Sequence, residues 1–151
     1  MNVVRGDLIR LAQQGVFDVI VHGCNCRCAM ARGIAKSIRS AFPKAYQIDQ
    51  ATEPGDRSKL GTIRVADVDV DGHSLAVVNA YTQFDYRGPM QLADYDAIRS
   101  AFAAIKRQFA GRRIGYPMIG AGLAGGDWSV ILAIIEEELA GEDHTLVEFD
   151  G

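Results

Sequence analysis

Two hydrophobic patterns alternate along the chain. Short runs rich in aliphatic and β-branched residues predict strands at 2–5, 17–21, 61–68, 75–80, 113–118 and 144–149. The runs at 17–21 (FDVIV) and 75–80 (LAVVNA) show little apolar/polar alternation, as expected of strands covered on both faces, whereas 61–68 (GTIRVADV) alternates. Between them, apolar residues recur at helical spacing over 7–14, 33–41, 44–51, 94–109 and 128–139. Ile98, Phe102 and Ile105 share one face of the fourth helix. Ile131, Ile134, Ile135 and Leu139 share one face of the fifth. Asp7 lies where a carboxylate suits a helix N-terminus, and Pro43 stops the second helix. This order predicts an α/β protein: a three-layer α/β/α sandwich with a mixed, largely parallel central sheet, built as one domain over 1–151.

Composition narrows the function classes. With 48% hydrophobic and 23% charged residues the chain reads as a soluble globular protein. Its net charge of -3 gives no electrostatic case for a nucleic-acid polymer as partner. No apolar run approaches the ~20 residues of a membrane span, and the opening MNVVRGDLIR lacks a signal-peptide core. A cytoplasmic monomer acting on a small molecule is expected, with no membrane partner, no metal and no cofactor. In that compartment Cys24, Cys26 and Cys28 stay reduced.

In open α/β sheets ligands sit beyond the carboxyl ends of strands. Two predicted loops occupy such places. The first runs from His22 to Gly33 and includes His22-Gly23-Cys24-Asn25-Cys26-Arg27-Cys28. Three readings compete for it. A metal site would use His22 and the cysteines, but their spacing is not the CxxC of structural zinc and no second ligand pair follows. A cysteine nucleophile would need a base such as His22. A ligand loop would use the Asn25 amide toward hydroxyl groups and His22 as acid, base or nucleophile. The second loop holds four glycines in seven residues, 120–126, which suits backbone N–H groups turned toward phosphate. It lacks the GK[ST] of a P-loop. Asp127 closes it, as a helix cap, as a carboxylate orienting water, or as both.

These residues resemble the macrodomain family, whose members bind ADP-ribose. The resemblance spans nearly the whole chain: Gly6-Asp7 after the first strand, the loop from His22 to Gly33, and GAGLAGGDW from Gly120 to Trp128. Most macrodomains carry Asn-Ala-x-Asn in the first loop. The His-x-Cys-Asn-Cys found here is similar to the branch of yeast and bacteriophage ADP-ribose 1''-phosphate phosphatases, as is Gly33-Ile34-Ala35. The resemblance implies a ligand, ADP-ribose or ADP-ribose 1''-phosphate, and a reaction releasing phosphate from the latter. It implies that Asp7 and Leu8 meet the adenine, with Phe149 packing on it, and that Asn25 holds the distal ribose. Met30, Ala31, Arg32, Gly33 and Ile34 would wrap the diphosphate and terminal group with Gly120, Ala121, Gly122, Leu123, Ala124 and Gly125. His22 and Asp127 would form the catalytic pair, with Asn25 aligning the substrate.

Two departures stand out. Ala31 replaces a usual glycine, so its Cβ is expected to crowd the ligand. Gln83 stands where macrodomains that remove ADP-ribose from carboxylates or DNA carry a lysine. A carboxamide is no nucleophilic amine, which disfavours that chemistry; a reader without chemistry, or a water-based hydrolase of modified macromolecules or O-acetyl-ADP-ribose, remains an alternative. Lys59, in GDRSKLGT, is expected to be a solvated turn residue.

Overall fold

The computed structural model of the protein describes residues 1–88 and 91–151. Its strands are β1 (Asn2–Gly6), β2 (Val19–Asn25), β3 (Ile63–Val70), β4 (His73–Gln83), β5 (Ile114–Tyr116) and β6 (His144–Phe149). They form one sheet in the order β1-β6-β5-β2-β4-β3, in which only the β3–β4 pair is antiparallel. The helices are α1 (Leu8–Gln13), α2 (Gly33–Ala41), α3 (Pro43–Gln50), α4 (Tyr95–Phe109) and α5 (Trp128–Glu138), with a short 3-10 turn at Arg57–Lys59. No described helix is long and apolar enough to cross a membrane.

The strand period of two sorts the central residues between two cores. Val19, Val21, Val78 and Tyr116 pack with Ile98, Phe102 and Ile131 under α4 and α5. Ile20, Leu75 and Val77 pack with Leu8, Ile38 and Ala45 under α1, α2 and α3. Helices therefore cover both faces, giving the three layers. It also explains why 17–21 and 75–80 lack alternation: both sides of β2 and β4 are buried.

Two strands run further than their apolar runs predict. β2 continues through His22 and Cys24 to Asn25, so His22 is a strand residue and the true loop is 26–32. β4 continues through Tyr81 and Thr82 to Gln83. Pairing between the two carries both to the same edge of the sheet, with a register shift between Cys24 and Asn25 that pairs Asn25 with Gln83.

Candidate functional site

The carboxyl ends of β1, β2, β4, β5 and β6 open onto two adjoining cavities. One, of about 390 Å³, is walled by Gly23, Cys24 and Asn25, by Ala29 and the helix start at 31–35, by Gln83 and Tyr86, and by 117–120 and 122–124. The other, of about 470 Å³, is walled by Gly6, Asp7, Leu8 and Ile9 at one end, by Ser37, and by Val147 and Phe149. Gly33, Ile34 and Pro117 belong to both walls, so the cavities form one continuous groove.

The junction suits an anion electrostatically. Arg32 precedes α2 without making a side-chain capping bond, so the first N–H groups of the helix carry no internal partner. Gly33, Ile34 and Ala35 line the groove there, and the N-terminal end of a helix dipole favours negative charge. Gly33 has φ +57, a left-handed conformation that a side chain would strain. Opposite, the loop 120–126 is closed by the Gly126 N–H donating to Gly120 O at 2.7 Å. A Cβ on Gly126 would stand 2.7 Å from that same oxygen and 2.8 Å from Ile131 Cδ1. Glycine at 126 is thus required for the loop to shut against α5. Leu123, 71% exposed, reaches across to within 3.8 Å of where a Gly33 Cβ would lie, so the two loops meet over the groove.

At the second cavity Asp7 caps α1: its Oδ1 accepts from Ile9 N at 2.9 Å and Arg10 N at 3.2 Å, and Oδ2 makes no bond among the described residues. Phe149, 72% exposed, offers a free aromatic face beside it. At the first cavity the Asn25 amide shapes its own loop. Oδ1 accepts from Arg27 N (2.9 Å) and Ala29 N (3.4 Å), and Nδ2 donates to Ala29 O (2.9 Å), which leaves one N–H for a ligand. The Ala31 methyl forms part of the wall without closing the space.

No family model matches the sequence. A 17.5 kDa protein from the tk-vs intergenic region of Enterobacteria phage T4, called uncharacterized, is 30% identical over 155 residues, covering 99% of this chain and 97% of that protein. The chain belongs to the same family as this phage protein. The macrodomain of Mycobacterium tuberculosis DarG has the same fold, with a TM-score of 0.71 at 19% identity, over 97% of this chain and 96% of that one. Thermosipho africanus DarTG, solved in complex with ADP-ribose, matches with a TM-score of 0.74 at 16% identity, over 99% of this chain and 41% of that one. The fold is the macrodomain fold.

Within this macrodomain fold several expected residues fall elsewhere. His22 and Asp127 do not form a pair. Strand alternation turns His22 to the α1–α3 side of the sheet, with Ile20, where it is fully buried and outside both cavity walls. Asn79 Nδ2 donates to Ala45 O at 2.9 Å, so Asn79 Oδ1 faces the imidazole and accepts from His22 Nε2–H at 2.6 Å. Burial holds the ring's pKa down at about 4, against the hydrogen bond to Asn79 that raises it. Asp127 starts α5 on the opposite face, exposed, with Oδ1 accepting from Ser129 N (2.9 Å) and Ser129 Oγ (2.7 Å). These bonds, the side-chain one foremost, hold its carboxyl below the usual range, and it too lies outside the groove. Met30 is a core residue rather than a wall residue, and Ala121 and Gly125 stand outside the lining.

Lys59 also departs from expectation. It is buried, its Nζ donating to Thr52 Oγ1 at 2.8 Å and lying 3.6 Å from Cys28 Sγ. Beside it the buried Asp49 accepts from Tyr81 OH at 2.7 Å. Cys24 and Cys26 pack around Tyr81, and burial pushes the Cys24 thiol well up, away from nucleophilic thiolate chemistry. Among the described residues no three His, Cys, Asp or Glu side chains gather as a metal site.

The groove also contains residues that sequence reasoning did not single out as ligand contacts: Gly23, Cys24, Tyr86, Pro117 and Met118, with Gln83 noted only for what it cannot do. A strand predicted to end at Met118 hid Pro117 and Met118, and one predicted to end at Ala80 hid the place of Gln83 at the end of β4. The proline at 117, which cannot donate to a ladder, was the available signal that β5 stops at Tyr116.

Proposed function

We propose that the chain binds ADP-ribose, with adenine in the cavity of Asp7 and Phe149, diphosphate at the start of α2, and the terminal ribose in the cavity of Asn25 and Gln83. The observation that carries this reading is the groove itself: two cavities joined at an uncapped helix N-terminus suit two uncharged rings joined by a diphosphate. The Thermosipho africanus DarTG structure, of the same fold, holds ADP-ribose. The free Asp7 Oδ2 is a fitting acceptor for an exocyclic amine, and Phe149 for stacking.

A phosphatase acting on ADP-ribose 1''-phosphate is the second reading. Arg32 and the loop 120–124 border the terminal cavity and suit a phosphate monoester. Its chemistry would rest on water attack with backbone N–H groups holding the developing charge, since the wall carries no carboxylate or imidazole among the described residues. Calorimetric titration with ADP-ribose, followed by a phosphate-release assay on ADP-ribose 1''-phosphate, tests both. Binding with release supports the phosphatase, binding alone supports a reader, and no heat with ADP-ribose refutes the ligand.

Asp7→Ser separates cap from contact. Serine keeps a capping oxygen but removes the free Oδ2. Affinity for ADP-ribose is expected to fall about tenfold, with the melting temperature nearly unchanged. An unchanged affinity would remove Asp7 from the adenine end.

A further inference from the structure

The cysteines at the end of β2 and in the loop after it differ in their surroundings. Cys24 and Cys26 are buried, and burial pushes both thiols up. Cys28 is partly exposed. Its φ of +60 is a left-handed conformation, uncommon for a residue with a side chain, and Gln50 Nε2 anchors its carbonyl at 2.7 Å. The turn brings the sulfur to a polar cluster: Sγ lies 3.3 Å from Asp49 O and from Thr52 Oγ1, and 3.6 Å from Lys59 Nζ.

Lys59 supplies the second, independent observation. It is 3% exposed, yet its ammonium is in no ion pair among the described residues. One N–H donates to Thr52 Oγ1 at 2.8 Å, another faces Cys28 Sγ, and the Tyr81 ring centroid lies 5.4 Å away. The neighbouring Asp49 carboxylate is engaged by Tyr81 OH at 2.7 Å. A buried cation without a bonded anion is costly. The group in contact with it that can acquire negative charge is the Cys28 sulfur.

We propose that Cys28 is a reversible oxidation site for hydrogen peroxide, and that Lys59 receives the oxygen it gains. The sulfur attacks one peroxide oxygen, so that an S–O bond forms as the O–O bond breaks. Sulfur is oxidised, the peroxide is reduced, and the departing hydroxide takes the thiol proton and leaves as water. The product is a sulfenic acid. During the attack the ammonium faces the negative charge that develops on sulfur. Afterwards it donates to the sulfenic oxygen, which stands between Sγ and Nζ. Cys24 and Cys26 lack this combination of access and adjoining cation contact. The modified residue would lie in the loop that Asn25 holds through Ala29, beside the first cavity.

The test exposes the wild type to hydrogen peroxide and reads peptide masses over time. Cleavage at Arg27 and Arg32 separates Cys28 from Cys24 and Cys26. The Cys28 peptide is expected to gain one oxygen first and to lose it again with dithiothreitol. That reversal distinguishes it from oxygen on Met30 in the same peptide, since a methionine sulfoxide resists the thiol. Lys59→Met removes the charge and keeps the stem, so Cys28 oxidation is expected to slow about tenfold. Lys59→Arg keeps the charge and is expected to restore most of the rate. The inference is overturned if wild-type Cys28 is oxidised no faster than Cys24 or Cys26, or if it forms a disulfide instead of gaining oxygen. It is equally overturned if Lys59→Met reacts as fast as the wild type. The wild-type comparison among the cysteines stands whether or not the variants fold.

Discussion

His22→Gln is expected to flatten the acid dependence of stability. The buried imidazole stays neutral until about pH 4, while in the unfolded chain it protonates near 6.5. As pH falls between those values the unfolded state binds a proton that the folded state refuses, so unfolding is favoured. Each pH unit corresponds to about 1.4 kcal/mol, for a total of about 3 kcal/mol between pH 6.5 and 4. At neutral pH the variant is expected to be the weaker protein, because glutamine fills the ring's place in the Asn79–Ala45 chain imperfectly. Toward pH 4 the gap should close. Urea denaturation of both proteins at pH 7, 6, 5 and 4 measures it; a gap that stays constant would mean that His22 titrates normally.

The second large effect is expected at Asp49. Alanine there would leave Tyr81 OH without its acceptor and the Lys59 ammonium buried without a neighbouring carboxylate. Leaving a buried hydroxyl without its acceptor costs about 1–3 kcal/mol, which in a domain of this size lowers the melting temperature by roughly 5 °C. Burial raises the Asp49 pKa, opposed by the Tyr81 hydrogen bond and by Lys59. A cycle with Lys59→Met isolates the coupling: in that background Asp49→Ala should cost clearly less. Equal costs in both backgrounds would show that the two charges do not sense each other. Because Cys28 donates to Asp49 O (3.3 Å) and Gln50 Nε2 to Cys28 O (2.7 Å), the loop beside Asn25 is tied to this cluster, so the loss should also loosen ligand binding.

Periodicity read the helices closely because each has one solvent face. α2 spans the residues its pattern predicts, and α4 and α5 differ from theirs by one residue at an end. It read strand ends poorly where both faces are buried. Along β2 the apolar run breaks at the polar His22 although the strand continues, buried, to Asn25, so His22 passed for a loop residue. The buried Lys59 was equally hidden, since its surroundings come from two other segments, the turn of Asp49 and Thr52 and the loop of Cys28. The glycines of 120–126 and the Asp7 cap were legible because each answers a local backbone requirement. The orientation of the Gln83 amide was not, because it depends on a carbonyl two residues on and on where β4 ends.

Among the described residues the groove's two cavities share Gly33, Ile34 and Pro117. A dumbbell-shaped ligand across that junction gains a chelate effect. Once one ring has docked, the tether confines the other at a millimolar effective concentration. AMP and ribose 5-phosphate as separate molecules would each bear the full entropic penalty of association. Hydrolysis of the diphosphate would therefore weaken retention even if every contact were preserved. A groove of this form would release such fragments more readily than an intact dumbbell-shaped ligand, discriminating by covalent continuity rather than by any single side chain.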